Sequence, residues 1–145
     1  MIPTVNDPLT LANDLRPVLL RLARHIRREG HAFGVTSGQI SLLAMIDDRP
    51  EITARELVDR ERISAPAMSA QLARLETGGL IERTRATDRR RVGLTLTPEG
   101  ARVLRSVRKK RTAWLAERLE RLPEAERAAI EAAIGPLQQL LEVEL

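Results

Sequence analysis

Apolar residues recur at helical spacing over most of the chain, and short polar turns separate the apolar stretches. The first stripe begins near Asp7 and Pro8, a capping residue followed by a proline at the first helical position, and ends near Gly30. Its apolar positions are Leu11, Leu15, Leu19, Leu22 and Ile26. Pro17 lies inside the stripe and predicts either a kink in this helix or a later start.

Capping boxes mark the starts of the next two helices. In each box a threonine precedes the first helical residue and a Gln or Glu stands three positions later, as in Thr36 with Gln39 and Thr53 with Glu56. The side chains predicted to be buried are Ile40, Leu42, Leu43 and Ile46 in the second helix and Leu57 in the third, with Val58 as a further candidate.

A tight turn joins the third helix to a fourth, which Ser64 caps and in which Pro66 lies in the first turn. This helix is predicted to end at Thr77, before the glycine pair Gly78 and Gly79. Its predicted core face consists of Met68, Leu72 and Leu75, with Ile63 beside it. These three positions recur at helical spacing, so the opposite side of the helix should face solvent.

Two β-prone runs follow, residues 80–85 and 92–96, and a polar segment separates them. The separating segment holds Thr87 and Asp88 and then three consecutive arginines, Arg89, Arg90 and Arg91. This pattern predicts a β-hairpin with a cationic tip. A pair of short helices followed by a basic hairpin is typical of proteins that bind duplex DNA. One helix fits the major groove while an arginine loop reaches the neighbouring minor groove.

The outward side of the fourth helix supplies further candidate DNA contacts. These candidates are Ser64, Pro66, Ala67, Ser69, Gln71 and Arg74. Gln71 can bond an adenine edge, Arg74 can bind guanine or a phosphate, and an alanine can contact a thymine methyl group. The alternative is that the alanines of this helix are good helix formers on a surface that reads no bases.

The segment after the hairpin predicts two further helices with an extensive apolar surface. Thr97, Pro98 and Glu99 start a long fifth helix, a sixth begins near residues 123–124, and Gly135–Pro136 should break or kink it. Their apolar residues include Trp114, Leu115, Leu119, Ile130, Ile134, Leu137, Leu140 and Leu141. These exceed what two terminal helices can bury against one small domain, which predicts a homodimer. The alternative is that the helices fold back on their own domain.

The fold class is therefore mainly α (α+β): a winged helix-turn-helix with long N- and C-terminal dimerisation helices. Residues 36–100 form the predicted DNA-binding domain, and residues 1–35 and 101–145 the helical dimerisation region. Charge follows this division, because residues 55–111 carry 15 Lys and Arg against 7 acids, whereas residues 112–145 carry 3 against 7. A basic middle segment suits phosphate attraction, although a solvated face rich in arginine would give the same count.

Composition excludes several other classes. Cysteine is absent, which excludes disulfides and thiol chemistry, and no apolar run is long enough to span a bilayer. The first residues lack a signal-peptide pattern, so we expect a cytoplasmic protein. His25 and His31 have no metal-ligand spacing, and no catalytic motif appears, so we expect neither an enzyme nor a cofactor. The helix pattern predicts that His25 is partly buried.

From residue 36 to residue 100 the chain resembles the MarR family of winged-helix transcription regulators. The matching pieces are VTSGQISLLAMI, ITARELVDRERISAPAMSAQLARLETGGLIER and D-R-R-R-V followed by LTLTPEG. The resemblance implies that Arg90 enters the minor groove and that Asp88 helps to fix it. It also implies an obligate homodimer. Ala65, Ala67 and Ala70 stand where the family often has polar or basic residues. Sequence preference is therefore expected to depend less on hydrogen bonds to bases and more on the wing and on DNA shape.

The resemblance further implies a small anionic or aromatic effector that releases DNA. Candidate pocket residues are His25, Phe33, Trp114 and an arginine of the first helix, although core packing is the simpler role for the two aromatic residues. The sequence thus predicts a sequence-specific regulator, a repressor, acting as a homodimer on a pseudo-palindromic DNA site. The alternatives are an architectural DNA binder of low specificity and a protein-interaction module.

Overall fold

The computed structural model describes residues 7–30, 33–85 and 91–145. These residues form six helices and one two-stranded sheet. In chain order the elements are α1 (Pro8–Arg28), α2 (Ser37–Asp48), α3 (Ala54–Glu61), α4 (Ala65–Thr77), β1 (Ile81–Arg85), β2 (Val92–Leu96), α5 (Pro98–Glu120) and α6 (Glu124–Glu142). The chain divides into two compact units, Met1–Arg111 and Thr112–Leu145. The predicted division into a DNA-binding domain and a dimerisation region is based on function and not on contacts, and it stays a prediction.

Side-chain caps start the first four helices as predicted. The Asp7 carboxylate accepts from the Thr10 backbone N–H at 3.0 Å. Both capping boxes are complete, because each threonine side chain accepts from the third helical N–H and the Gln39 or Glu56 side chain accepts in return from the threonine N–H. Ser64 Oγ accepts from the Ala67 N–H at 3.2 Å. Each cap satisfies backbone donors that the first turn leaves without partners.

Of the effects expected at the two internal prolines, a delayed start of α1 and a break of α6 were wrong, and a kink at either residue stays a prediction. α1 begins at Pro8 and continues past Pro17 to Arg28, so its start is not delayed. α6 continues past Pro136 to Glu142 and is not broken at that residue. A proline within a helix removes one N–H donor from the carbonyl four residues earlier. Here those carbonyls belong to Asn13 and Ala132, both exposed residues, where water can replace the missing donor.

The core lies in the first unit and is entirely apolar among the residues that the structure describes. Its fully buried large side chains are Ile40, Leu43, Ile46, Leu57, Met68, Leu72, Leu75, Ile81, Leu94, Leu104 and Val107. The predicted core positions of α2, α3 and α4 are buried except Val58, which is partly buried and packs against the core, as Ile63 does. This cluster holds α3, α4 and the hairpin on one scaffold.

The hairpin is antiparallel, with Ile81 opposite Leu96 and Arg85 opposite Val92. The segment before α3 pairs with its outer edge through an isolated bridge between Ile52 and Leu94. The Glu51 N–H donates to the Leu94 carbonyl at 3.0 Å, and the Leu94 N–H donates to the Ile52 carbonyl at 2.9 Å. A Cβ at Gly93 would lie 2.8 Å from the Glu51 Cα, so only glycine permits this approach. The second strand is therefore fixed to the segment that leads into α3.

Candidate nucleic-acid interface

The turn between α3 and α4 contains a left-handed residue. Arg62 has φ 54° and ψ 36°, and its N–H donates to the Val58 carbonyl at 3.2 Å. A non-glycine residue costs roughly 1 kcal/mol or more in this conformation. The turn ends α3 and directs the chain to Ser64, where α4 begins. Together the two helices and this turn form a helix-turn-helix.

α4 presents one face to the core and the other to solvent. Met68, Leu72 and Leu75 are buried on the core face. The exposed residues include five of the predicted DNA contacts, namely Ser64, Pro66, Ala67, Ser69 and Arg74. Their exposure agrees with the predicted face, and their contact with DNA stays a prediction. Most of this face carries short side chains, so a groove could approach the helix backbone closely.

Gln71 differs from these five residues because it is half-buried. Its Oε1 atom is buried and accepts no hydrogen bond from the described residues. The residue lies beside the buried Leu72 and three positions after the buried Met68, so it occupies the edge of the core face. A bond from its amide to an adenine would require the side chain to turn outward.

The predicted wing contacts fall mainly on the tip of the hairpin. Asp88, Arg89 and Arg90 lie outside the described residues, so insertion of Arg90 into a groove stays a prediction. Arg91 is described and is half-exposed, and its guanidinium donates from Nη2 to Glu56 Oε1. The third arginine of the tip therefore contacts the protein itself. Sequence reasoning missed this contact, because 35 positions separate the two residues.

Glu56 is held in place before it meets Arg91. Its Oε1 atom accepts from the Thr53 hydroxyl at 3.0 Å and from the Thr53 N–H at 3.4 Å. These hydrogen bonds, with the charge of Arg91, lower the pKa of Glu56 below its ordinary value. The carboxylate is therefore ionised at neutral pH and faces Arg91 as a fixed anion.

A second ion pair joins the other strand to the helix-turn-helix. Arg83 Nε on β1 donates to Glu76 Oε2 in the last turn of α4 at 2.9 Å. Each strand of the hairpin is thus linked to one helix by an Arg–Glu pair: β1 to α4 by this pair, and the start of β2 to α3 by Arg91 and Glu56. The sequence predicted a capping role for Glu56 and placed Glu76 within the segment that resembles the MarR family, but it predicted neither ion pair.

Of the three candidate effector-pocket residues, His25 and Phe33 lie in the first unit and Trp114 lies in the second. Phe33 packs against the core of the first unit, and Lys110 Nζ lies 5.4 Å from its ring centroid. Trp114 belongs to the second unit, where the Arg118 guanidinium lies 3.7 Å from its ring centroid. His25 was expected to be partly buried and is exposed, since α1 buries none of its residues. A pocket formed by the three residues stays a prediction.

Two arginines of the first unit form a like-charged pair near the end of α1. The pKa of Arg111 is lowered by partial burial and by the charge of Arg27. The Nε and Nη2 atoms of Arg111 are buried and donate no hydrogen bond to the described residues. Buried donors without acceptors are costly, so an anion bound at this place would be stabilised.

Within the described part of the chain, no cluster of His, Cys, Asp and Glu could hold a metal ion. The same residues include no helix long and apolar enough to cross a membrane.

Comparison with known proteins agrees with this geometry. Residues 33–91 match the model of the MarR family. An HTH-type transcriptional regulator of Mycobacterium bovis is 31% identical over 133 residues, which cover 91% of this chain and 93% of that protein. The chain belongs to the MarR family. Another relative, the HTH-type transcriptional repressor MdtR of Bacillus subtilis, is 32% identical over 112 residues, covering 77% of this chain and 72% of that protein.

Solved structures of other transcriptional regulators share the fold. A putative transcriptional regulator from Pseudomonas aeruginosa is 37% identical, with a TM-score of 0.84 and coverage of 97% of this chain and 99% of that one. MarR of E. coli has a TM-score of 0.72 at 23% identity and supports the fold alone. The predicted winged helix-turn-helix is confirmed. As a MarR-family protein, the chain is a DNA-binding transcriptional regulator.

Proposed function

We propose that this MarR-family regulator is a homodimeric, cytoplasmic repressor that binds a pseudo-palindromic DNA site and is released by a small anionic effector. The observation that carries the proposal is the division of α4. Its apolar side is fixed in the core, and its opposite side presents Ser64, Ser69 and Arg74 to solvent next to the base of a basic hairpin. No catalytic role is proposed.

In this proposal α4 occupies the major groove and the hairpin tip the adjacent minor groove. The outer face of α4 is rich in alanine, so few side chains can form hydrogen bonds with base edges. Arg74 is best suited to a phosphate, which positions the protein without reading sequence. Sequence preference then comes from Gln71 when it turns outward, from apolar contacts of Ala67 and from the arginines of the tip.

Exposed apolar residues on the terminal helices support the homodimer. None of the residues of α1 is buried, and Leu9, Leu11, Val18 and Leu20 are more than half exposed. None of the residues of α6 is buried either, and its exposed apolar residues are Ile130, Ile134, Leu140 and Leu141. Exposed apolar side chains in this number are costly in water, and a second copy that packs against them removes the cost.

Repression and release have narrower support. Repression is supported by MdtR of B. subtilis, which is a repressor by name. FabT of Streptococcus pneumoniae, which has a TM-score of 0.70 with this chain, was solved in complex with DNA, and this bears on DNA binding alone. The proposed effector is anionic because the buried Nε and Nη2 donors of Arg111 lack acceptors among the described residues, and because the charge of Arg27 acts on the same guanidinium. An anion at this place would lie in the unit that also holds α4.

Binding to genomic DNA fragments at two salt concentrations tests the proposal. A regulator binds its selected site about 10³-fold or more tighter than random DNA, and log K falls linearly with log salt for both kinds of DNA. The second candidate, favoured by the alanine-rich α4, is an architectural DNA binder. Its affinity would depend on salt in the same way, but it would bind the selected site and random DNA about equally tightly. Repeating the DNA titration in the presence of small aromatic carboxylates tests the proposed effector. If none of these compounds changed the affinity for DNA, the proposal of release by an anionic effector would be contradicted.

Arg90→Ala should weaken binding more than Arg89→Ala or Arg91→Ala. Neighbouring residues on a β-tip point in opposite directions, and the resemblance to the D-x-R pattern of the MarR family assigns the groove contact to Arg90. The loss is expected to be about 10- to 100-fold, the range of one good groove contact. It should be largest at sites with A·T-rich flanks, where the minor groove is narrow and strongly negative. Equal losses for all three variants, irrespective of flanking sequence, would show that the tip acts as an undirected cationic patch.

A further inference from the structure

The Arg91–Glu56 pair lies where the tip of the hairpin joins β2. Arg91 is the first described residue after the tip, and β2 begins at the next position. Its partner belongs to the first turn of α3 and is fixed there by Thr53. The pair therefore connects the end of the tip with the start of the helix-turn-helix.

The backbone around the pair limits the alternatives for Arg91. Leu94 exchanges hydrogen bonds with residues 51 and 52, just before α3. Gly93 lies against Glu51 so closely that no Cβ fits. Because β2 cannot shift along this segment, Arg91 remains within reach of Glu56. The side chain is half-exposed, so packing does not force it towards Glu56; the carboxylate is what the guanidinium binds there.

We propose that Arg91 and Glu56 form a positioning pair that sets the direction in which the hairpin tip approaches DNA, and that Arg91 does not itself neutralise a phosphate. This inference rests on the proposed DNA-binding role of the hairpin. It separates the three consecutive arginines by role: Arg91 fixes the end of the tip to α3, whereas the DNA contacts predicted for the tip belong to Arg89 and Arg90. Arg83 and Glu76 hold the other strand to α4 in the same manner.

The positioning role and a phosphate contact predict opposite responses to neutralisation of Glu56. If Arg91 positions the tip, Glu56→Gln removes the ionic part of the link and weakens binding. If Arg91 bound a phosphate, the same substitution would release the guanidinium from a competing anion and strengthen binding. Glutamine at this position still completes a capping box, so α3 keeps its start.

The experiment is a double-mutant cycle on a DNA site selected with the wild-type protein. Glu56→Gln and Arg91→Gln should each weaken binding by about two- to fivefold, as expected for an exposed ion pair, and the double variant should bind no more weakly than either single variant. The slope of log K against log salt should stay at the wild-type value. The losses should be larger at A·T-rich than at G·C-rich flanks, because the tip is displaced from the narrow groove.

Asp47→Asn is the matched control. It removes one negative charge from another exposed carboxylate–arginine pair of the same unit, Arg108 Nη1 to Asp47 Oδ2 at 3.2 Å. Asp47 lies beside Thr95 and Leu96, at the opposite end of β2 from Arg91. The control should leave the preference for A·T-rich flanks unchanged. Thermal melting of each variant checks that the fold is intact.

Three results would overturn the assignment of Arg91. The first is a salt slope that falls by about one in Arg91→Gln, which marks a lost phosphate contact. The second is tighter binding by Glu56→Gln, and the third is the absence of any effect in either variant. Failure of the proposed function itself would appear separately, as a wild-type protein that binds selected and random DNA equally.

Discussion

Gly100→Ala should destabilise the first unit by about 3 kcal/mol or more, one of the largest effects expected of any single substitution in this chain. A Cβ at this position would lie 2.0 Å from the Leu80 carbonyl oxygen and 2.9 Å from its carbon. Both atoms belong to the backbone, so no side-chain rotation relieves the overlap. The first turn of α5 would have to move away from the residue that starts the hairpin.

Such a movement would break hydrogen bonds that close the base of the hairpin. The Thr97 N–H donates to the Leu80 carbonyl at 3.0 Å, and the Thr97 hydroxyl donates to the Gly79 carbonyl at 2.5 Å. The hydroxyl also accepts from the Gly100 N–H at 3.0 Å, which caps α5. The variant should therefore melt roughly 10 °C or more below the wild type.

Gly135→Ala is the control, because it makes the same change within α6 where nothing lies within 4 Å of the added Cβ. Alanine is the better helix former, so this variant should be as stable as the wild type or slightly more stable. Equal melting temperatures for the two alanine variants would contradict the close approach of α5 to Leu80.

The parts of the fold that the sequence predicted correctly depend on short-range rules. The capping boxes at Thr36 and Thr53 require residues only three positions apart, and both occur as expected. The core face of α4 follows from helical spacing, and its three predicted residues are buried. Capping and helical periodicity depend on residues a few positions apart and not on how the helix packs. They can therefore be predicted from a single sequence.

The features that were missed depend on which elements meet in space. The contacts of Arg91 with Glu56 and of Arg83 with Glu76 join different elements, and no local pattern marks them. Gln71 was placed by helical spacing near the outward side, yet the edge of the core covers half of it. The expected break at Pro136 was wrong because α6 is exposed there, so water can replace the hydrogen-bond donor that the proline removes. Sequence alone does not show this exposure.

Ile134→Asp combined with Leu141→Asp should abolish the proposed homodimer and lower affinity for a two-half-site operator by about a hundredfold or more. The two side chains lie seven positions apart on one face of α6 and are 52% and 88% exposed. If a second copy covers them, each aspartate would lose its hydration in the interface, which is unfavourable without a partner charge. A monomer binds the two half-sites as separate events, and the advantage of linked binding is lost.

Gln139→Asp provides the matched control, because it adds the same charge to α6 at an exposed position on the opposite side from Ile130. It should remain dimeric in light scattering and keep the wild-type affinity. The double aspartate variant should be monomeric, yet bind a single half-site as the wild type does, since its substitutions lie outside the unit that holds α4. A double variant that remained dimeric would show that α6 contributes no essential apolar contact. The exposed residues of α1, Leu9 and Val18 among them, would then be the surface on which the proposed dimer depends.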